Sequence, residues 1–169
     1  MEQPVSGGPS ASALQAERVI RAYFAACNTA DVDAMMACFT DDAVHYFPAG
    51  MPGGPWRGAQ VIAENWARFV RDFGSAWTID RFLCDPTGSQ AVIEWTHYRT
   101  RPNKMLRGDE WYVLDAESGR IKEIRAYYAA AADQTAATNE LSGFDYAGRG
   151  YHLECPIPRG SVTGGEASS

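Results

Sequence analysis

Imidazole is the side chain best placed to move protons near neutral pH, and this 169-residue chain carries three, His45, His97 and His152. His97 follows Ile93 and Trp95 at strand spacing, so these three share a face, and His45 precedes Phe47 by two residues in the same way. Within Arg107-Gly108-Asp109-Glu110-Trp111-Tyr112 the same alternation sends Gly108, Glu110 and Tyr112 to one side and Asp109, Trp111 and Val113 to the other. A one-residue slip would exchange Asp109 for Glu110. Two imidazoles and a carboxylate can hold zinc or iron, but the spacing of His45, His97 and Glu110 carries no metal signature, so neither metal nor other cofactor is expected. The four cysteines, Cys27, Cys38, Cys84 and Cys155, lie 11, 46 and 71 residues apart without any C-x-x-C pair. Free, mostly buried thiols are the expectation.

The elements that must position these groups follow from apolar periodicity. Ser12 with Gln15 forms a capping-box pattern, and Leu14, Val19, Ile20, Tyr23, Phe24 and Cys27 recur at helical spacing up to about Cys27. Asp31 can cap a short second helix that turns Met35, Met36 and Phe39 inward, with Thr40-Asp41-Asp42 ending it. Residues 43–47 read as a short strand, and residues 48–58, with three glycines before Gly58 and three prolines, as an irregular loop. No G-K-[ST] follows, so the loop is not a Walker phosphate site. A third amphipathic helix over 59–73 carries Val61, Ile62, Trp66, Phe69, Val70 and Phe73 and stops at Gly74. Four period-2 segments follow, at about 76–84, 90–100, 105–114 and 120–129, separated by turn clusters. Short turns between neighbouring strands mean an antiparallel meander, and helices followed by strands mean an α+β fold, a strongly curved sheet wrapped around three N-terminal helices.

Composition bounds the function. Hydrophobic residues are 46% and charged residues 21%, enough for a packed core. Fifteen Lys and Arg against 21 Asp and Glu give a net charge of -6, which argues against nucleic acid or an anionic membrane as partner. No apolar run approaches the ~20 residues of a membrane span, the first residues lack signal-peptide character, and no N-x-[ST] sequon occurs. A cytoplasmic protein is expected. Residues 1–11 read as a disordered tail, 12–130 as the domain, and 131–169 as an extension that docks in part at about 143–157 through Phe144, Tyr146 and Tyr151 before a disordered end. Arg107-Gly108-Asp109 spells an adhesion tripeptide, which mid-strand reads as coincidence.

Taken together, Tyr23 with Asp31 eight residues later, Phe39-Thr40-Asp41-Asp42-Ala43, Arg57-Gly58 opening the third helix and the closing run Gly119-Arg120-Ile121 to Ala126-Tyr127-Tyr128 resemble the nuclear transport factor 2-like superfamily, and within it the ketosteroid isomerases and SnoaL-like polyketide cyclases. The resemblance spans roughly residues 14–130 and implies a cone-shaped cystatin-like α+β barrel whose concave face, closed by the helices, forms one deep apolar pocket. It implies too that Tyr23 and Glu110 stand where the isomerases keep an oxyanion-binding Tyr and acid, and that Glu110 matches the catalytic Asp of the cyclases. Phe47 replaces the proton-moving Asp of the isomerases, Asn28 the His-orienting Asp of related dehydratases, and Ala126 a carboxylate of the epoxide hydrolases. No known catalytic set is whole.

The reading that follows is a cofactor-independent acid–base enzyme, of isomerase, cyclase or lyase type, acting on a hydrophobic polycyclic, polyketide-like or terpenoid-like molecule. Glu110, whose burial would favour its neutral form, and Tyr23 would polarise an oxygen, and His45 or His97 would move the proton. Phe47, Trp66, Ile93, Trp95, Tyr112, Ile124 and Tyr128 would line the pocket. Each has a plain alternative: Glu110 a surface charge after register slip, Tyr23 and the aromatics core, the histidines hydrogen-bonded structure. A non-catalytic binding or dimerisation module, and a dehydratase or epoxide-opening enzyme with rewired residues, are the competing functions. The resemblance also implies a homodimer. His152 is expected to be exposed unless the extension covers the pocket mouth.

Overall fold

The computed structural model describes residues 8–47, 54–128, 138–139, 146–148 and 150–158. Expectations that fall on residues 1–7, on 48–53 of the Gly/Pro loop, on Phe144 and on the end from residue 159 lie outside the described residues. Three helices, α1 (Ala11–Thr29), α2 (Val32–Ala37) and α3 (Ala59–Phe73), precede most of the sheet. The cap of α1 is Ser10 and not Ser12: the Ser10 side chain accepts from the Ala13 amide at 3.0 Å, satisfying one of the helix's orphan N–H groups. Gln15, expected to complete a capping box, instead accepts from Arg18 through Oε1. Asp31 caps α2 through the Ala34 amide at 3.0 Å, as its position predicts. Gly74 ends α3 in the left-handed region (φ 58°), where a Cβ would also collide with Thr100 Oγ1.

The strands are β1 (Phe39–Tyr46), β2 (Trp56–Arg57), β3 (Ser75–Cys84), β4 (Gln90–Arg99), β5 (Lys104–Leu114), β6 (Ile121–Tyr127) and β7 (Thr138–Asn139). They lie in the order β2-β1-β6-β5-β4-β3, with β7 joining β5 where β6 ends. The β3-to-β6 meander is antiparallel, while β1 runs parallel to β6. The sheet curls without closing.

Two expectations fail at β1. The strand starts at Phe39, not Ala43, so Asp41 and Asp42 are exposed strand residues and do not terminate a helix. From Phe39↔Ile121 to Val44↔Glu123, β1 advances five residues while β6 advances two, so the polar run sits in an irregularity that turns it to water. Propensity alone reads such a run as a helix end. The end of the Gly/Pro loop, expected to be irregular, forms β2 because Trp56 is buried opposite His45.

The core fills the concavity between sheet and helices, centred on Ile20, Met35, Ile62, Ile93 and Ile124. On the opposite face Arg107 is buried beneath the C-terminal segment: its guanidinium donates to Thr96 Oγ1 at 2.6 Å and to the His152 carbonyl at 3.0 Å, and lies 4.2 Å from the Tyr146 ring centre. Tyr151 donates to Glu94 on the same face. Beyond β7, which pairs within the sheet, Tyr146, Tyr151 and the His152 carbonyl therefore lie on the side of the sheet away from Glu110, and the His152 side chain is exposed.

Candidate active site

β5 lies between β4 and β6, and Glu110 stands opposite Ile93 on one side and Ala126 on the other. Alternation turns Glu110 to the concave interior, where it is 7% exposed, while Asp109 is exposed. Tyr112, two residues along on the same face and fully buried, donates its hydroxyl to Glu110 Oε2. Oε1 lies 3.5 Å from His45 Nε2. His45 is brought there by the parallel β1–β6 pairing, which puts it beside Ile124.

His45 is wholly buried, yet neither ring nitrogen has a hydrogen-bond partner among the described residues. A buried polar atom left without a partner costs about 1–3 kcal/mol, so such atoms are uncommon and concentrate where a protein does something other than fold. The ring is fixed by packing: it stacks on Phe47 at 4.0 Å between centroids and meets Trp66 at 5.6 Å and Trp56 at 6.1 Å. Trp66 in turn contacts Trp77 at 5.1 Å, and the aromatic wall continues across the interior.

Tyr23 enters from α1, whose buried face is Ala16, Ile20, Tyr23, Phe24 and Cys27. Burial pushes its phenol well above the usual range, and the nearby Cys27 thiol and Glu110 carboxyl add to the shift. The Trp66 indole N–H acts in the opposite sense on that phenol, although it falls short of hydrogen-bond geometry with any group. Tyr112 is raised likewise by burial, then by Glu110 and Tyr23. Tyr23, Cys27, Glu110, Tyr112 and His45 thus lie in one neighbourhood, with the Tyr112 phenol bonded to the carboxyl and the Tyr23 phenol near enough to sense its charge. Asn28 fixes the end of α1 to β3, donating to the Trp77 carbonyl at 2.8 Å and accepting from the Trp77 amide at 2.7 Å. That is a structural use of the position where related dehydratases place an Asp.

His97 does not join the cluster. It lies four residues along β4 from Ile93, roughly 13 Å of strand from Glu110. Its Nε2 shares a hydrogen bond with Ser75 Oγ at 2.8 Å, and its ring stacks on Trp77 at 4.5 Å. Burial, and then Arg99, hold its pKa well below the usual imidazole range, so it is neutral. Among the described residues no three His, Cys, Asp or Glu side chains converge as a metal site would require.

Of the expected lining, Ile93, Tyr112 and Ile124 are fully buried in the core, and Trp66 and Trp95 nearly so. Phe47 and Tyr128 border a groove of about 770 Å³ at the ends of β1 and β6, together with Tyr46, Glu123, Arg125, Ala126 and Tyr127. Ala126, the position lacking the carboxylate of the epoxide hydrolases, is thus both opposite Glu110 and at the groove. The Tyr112–Glu110 bond was readable as i, i+2 residues on one strand face, but nothing in sequence shows that the hydroxyl reaches the carboxyl. The Ser75–His97 bond, across two strands, left no signal.

A curled sheet with three helices filling its concave side and polar groups gathered inside defines the nuclear transport factor 2-like class of α+β folds. Residues 20–124 match the SnoaL-like domain family, and the chain belongs to it. Among solved structures, a protein of unknown function with a cystatin-like fold from Methylobium petroleophilum is 49% identical, covering 90% of this chain and 100% of its own, with a TM-score of 0.70. A candidate polyketide cyclase from Sinorhizobium meliloti is 19% identical over 65% of this chain and 94% of its own, at a TM-score of 0.55. RV0760c from Mycobacterium tuberculosis, solved in complex with estradiol-17beta-hemisuccinate, is 13% identical over 68% of this chain and 94% of its own, at 0.58. These last two share the fold. A comparison with curated proteins found no match. No described helix is long and apolar enough to cross a membrane.

Proposed function

We propose that this chain is a cofactor-independent acid–base enzyme of isomerase, cyclase or lyase type, acting on a hydrophobic polycyclic molecule of polyketide or terpenoid character. The observation that carries the reading is the buried Glu110 carboxyl, with Oε2 held by Tyr112 and Oε1 3.5 Å from a His45 ring that hydrogen-bonds to none of the described residues. One oxygen anchored and the other left to a titratable partner is an arrangement for moving a proton. In this reading Tyr23, kept protonated by burial, donates to the developing oxyanion while Glu110 and His45 take and return the proton, and the walls from Phe47 to Trp66 keep water out. His97, neutral and tied to Ser75, supports the wall. The family fold includes cyclases and isomerases, which suits the same chemistry.

Exchange of protons α to a carbonyl, followed by NMR in deuterated buffer on a panel of polycyclic ketones, tests this without knowledge of the natural substrate. Glu110→Gln should slow exchange by about 10²–10⁴-fold while the circular-dichroism spectrum stays unchanged. Undiminished exchange in a folded variant would sink the proposal. A binding module is the second reading, favoured by Phe47 and Ala126 standing where related enzymes keep carboxylates; it expects ketones to bind and no exchange above buffer. We also infer a cytoplasmic homodimer, as family resemblance suggests; sedimentation should return twice the 18.5 kDa of the chain, and a monomer at micromolar concentration would remove the dimer from the account.

A further inference from the structure

A guanidinium carries five N–H donors, and withdrawing them from water costs free energy unless acceptors replace it. Among the described residues three arginines are withdrawn from the surface, Arg99, Arg107 and Arg125. Arg107 bonds Thr96 Oγ1 and the His152 carbonyl, and Arg125 meets Glu123 Oε1 at 3.0 Å through Nε. Arg99 does neither. Its Nε is sealed from water without a hydrogen bond, while its two terminal nitrogens, open to solvent, meet no acceptor and no carboxylate among the described residues.

Register fixes where this charge lies. Arg99 follows Ile93, Trp95 and His97 at strand spacing, so it shares their concave face at the end of β4, beside the turn into β5. The guanidinium sits over the Phe73 and Phe69 rings of α3, 5.4 and 6.0 Å from their centroids. Two aromatic faces hold the cation by their quadrupoles and accept none of its hydrogen bonds. Burial lowers its pKa, and the group that opposes the shift is the Tyr128 phenol, not a carboxylate.

Tyr128, just past the end of β6, is a second unspent donor: its hydroxyl bonds none of the described residues. Burial holds that phenol above the usual range, with Arg99 pulling it down and Glu110 pushing it up, so it stays protonated within electrostatic reach of both. Tyr128 also borders the groove of about 770 Å³ that Phe47 and Ala126 line. It therefore joins the open guanidinium to that groove.

We propose that Arg99 and Tyr128 form a carboxylate-binding site at the rim of the concavity, and that the groove takes a small apolar molecule bearing one carboxylate. The planar guanidinium offers its two open nitrogens as a fork to the two carboxylate oxygens, and the Tyr128 hydroxyl donates to one of them. One cation and one phenol match a monoanion. Six residues of β4 separate Arg99 from Ile93, the partner of Glu110, roughly 20 Å of strand, so the bound anion is kept away from that carboxyl. Recognition here requires the groove to be a ligand site, as the proposed function holds, but no step of its acid–base chemistry.

Equilibrium dialysis of 4-phenylbutyrate and 4-phenylbutyramide at pH 7 in low salt tests this with two probes of like shape that differ in charge. The carboxylate should lead the amide about tenfold to hundredfold. Arg99→Met, which keeps an apolar stem over Phe73, should erase that lead and leave amide binding unchanged, and Tyr128→Phe should cut it about threefold to tenfold. Acetate, with the charge but no apolar body, should not displace phenylbutyrate at equal concentration. In a ¹⁵N spectrum of the wild type, the guanidinium Nε–H signal that vanishes in Arg99→Met should move with phenylbutyrate and stay with the amide. Equal binding of the two probes, binding of neither, displacement by acetate, or a lead that survives Arg99→Met overturns the proposed site. The wild-type comparison decides it even if a variant fails to fold. A carboxylate preference in a protein that exchanges no α-protons would overturn the acid–base reading alone, and proton exchange without that preference would overturn the carboxylate site alone.

Discussion

Glu110 shows how much a single side chain's meaning depends on its neighbours. Its burial between Ile93 and Ala126 would be an unrelieved cost without the Tyr112 hydroxyl on Oε2, and Tyr112 in turn is kept a phenol by burial and by that same carboxyl. His97 makes the contrasting case of a histidine whose partner is satisfied and whose chemistry is switched off. Its pKa lies well below the usual value, through burial first and Arg99 second. The unfolded chain therefore binds a proton at about pH 6.5 that the folded chain refuses, and stability falls as pH drops below that point, by up to about 1.4 kcal/mol per unit from this residue. Denaturant titrations between pH 7 and pH 5 should show this slope, and His97→Gln, which can keep a hydrogen bond to Ser75, should flatten it. An unchanged slope would mean that His97 is protonated in the fold.

At the scale of elements, the site exists because three strands and a helix meet at fixed registers. The parallel β1–β6 contact sets His45 beside Ile124, the β5–β6 register sets Glu110 beside Ala126, and Asn28 fastens α1 to β3 so that Tyr23 faces both. At Gly108 the β5 backbone and an aromatic ring approach closely: a Cβ there would meet Trp95 Cζ2 at 2.7 Å, Tyr128 Cβ at 2.8 Å and the Tyr127 carbonyl at 3.0 Å. Two of those atoms cannot swing away. Gly108→Ala should therefore destabilise the protein by about 1–3 kcal/mol, measured by thermal or urea unfolding, and should weaken ligand binding by displacing Trp95. A variant as stable as the parent would show that the sheet yields at that point.

Across the whole molecule, Arg107 joins the domain to its C-terminal segment. Its guanidinium bonds Thr96 and the His152 carbonyl and lies against Tyr146 and Tyr151, on the face of the sheet away from Glu110. Loss of a charge-assisted hydrogen bond costs about 1.5–3 kcal/mol, which corresponds to roughly a tenfold to hundredfold larger population of the undocked segment. Arg107→Ala should accordingly be cut by chymotrypsin after Tyr146 or Tyr151 that much faster, with the domain core left intact. Cleavage at the parental rate would mean that the segment is held by other contacts.

What the sequence determined by itself was periodicity and punctuation. The 3.6-residue spacing in α1 and α3, the alternation of β3 to β6 and the glycines and prolines between them placed every long element within a few residues, and with the family resemblance they were enough for the fold. Alternation also put Glu110, Gly108 and Tyr112 on one face, because that choice is local to one strand. The failures lie where local preference met long-range pairing: Ser10 outcompeted Ser12 as a cap, Thr40-Asp41-Asp42 was drawn into β1 by the pairing of Phe39 with Ile121, and Trp56 was drawn into β2 by His45. Only the tertiary structure could separate His45, beside Glu110 and without a hydrogen bond among the described residues, from His97, satisfied by Ser75 far along the sheet. Both are imidazoles on inward strand faces. Their difference lies in which residues, remote in sequence, the curvature of the sheet brings against them.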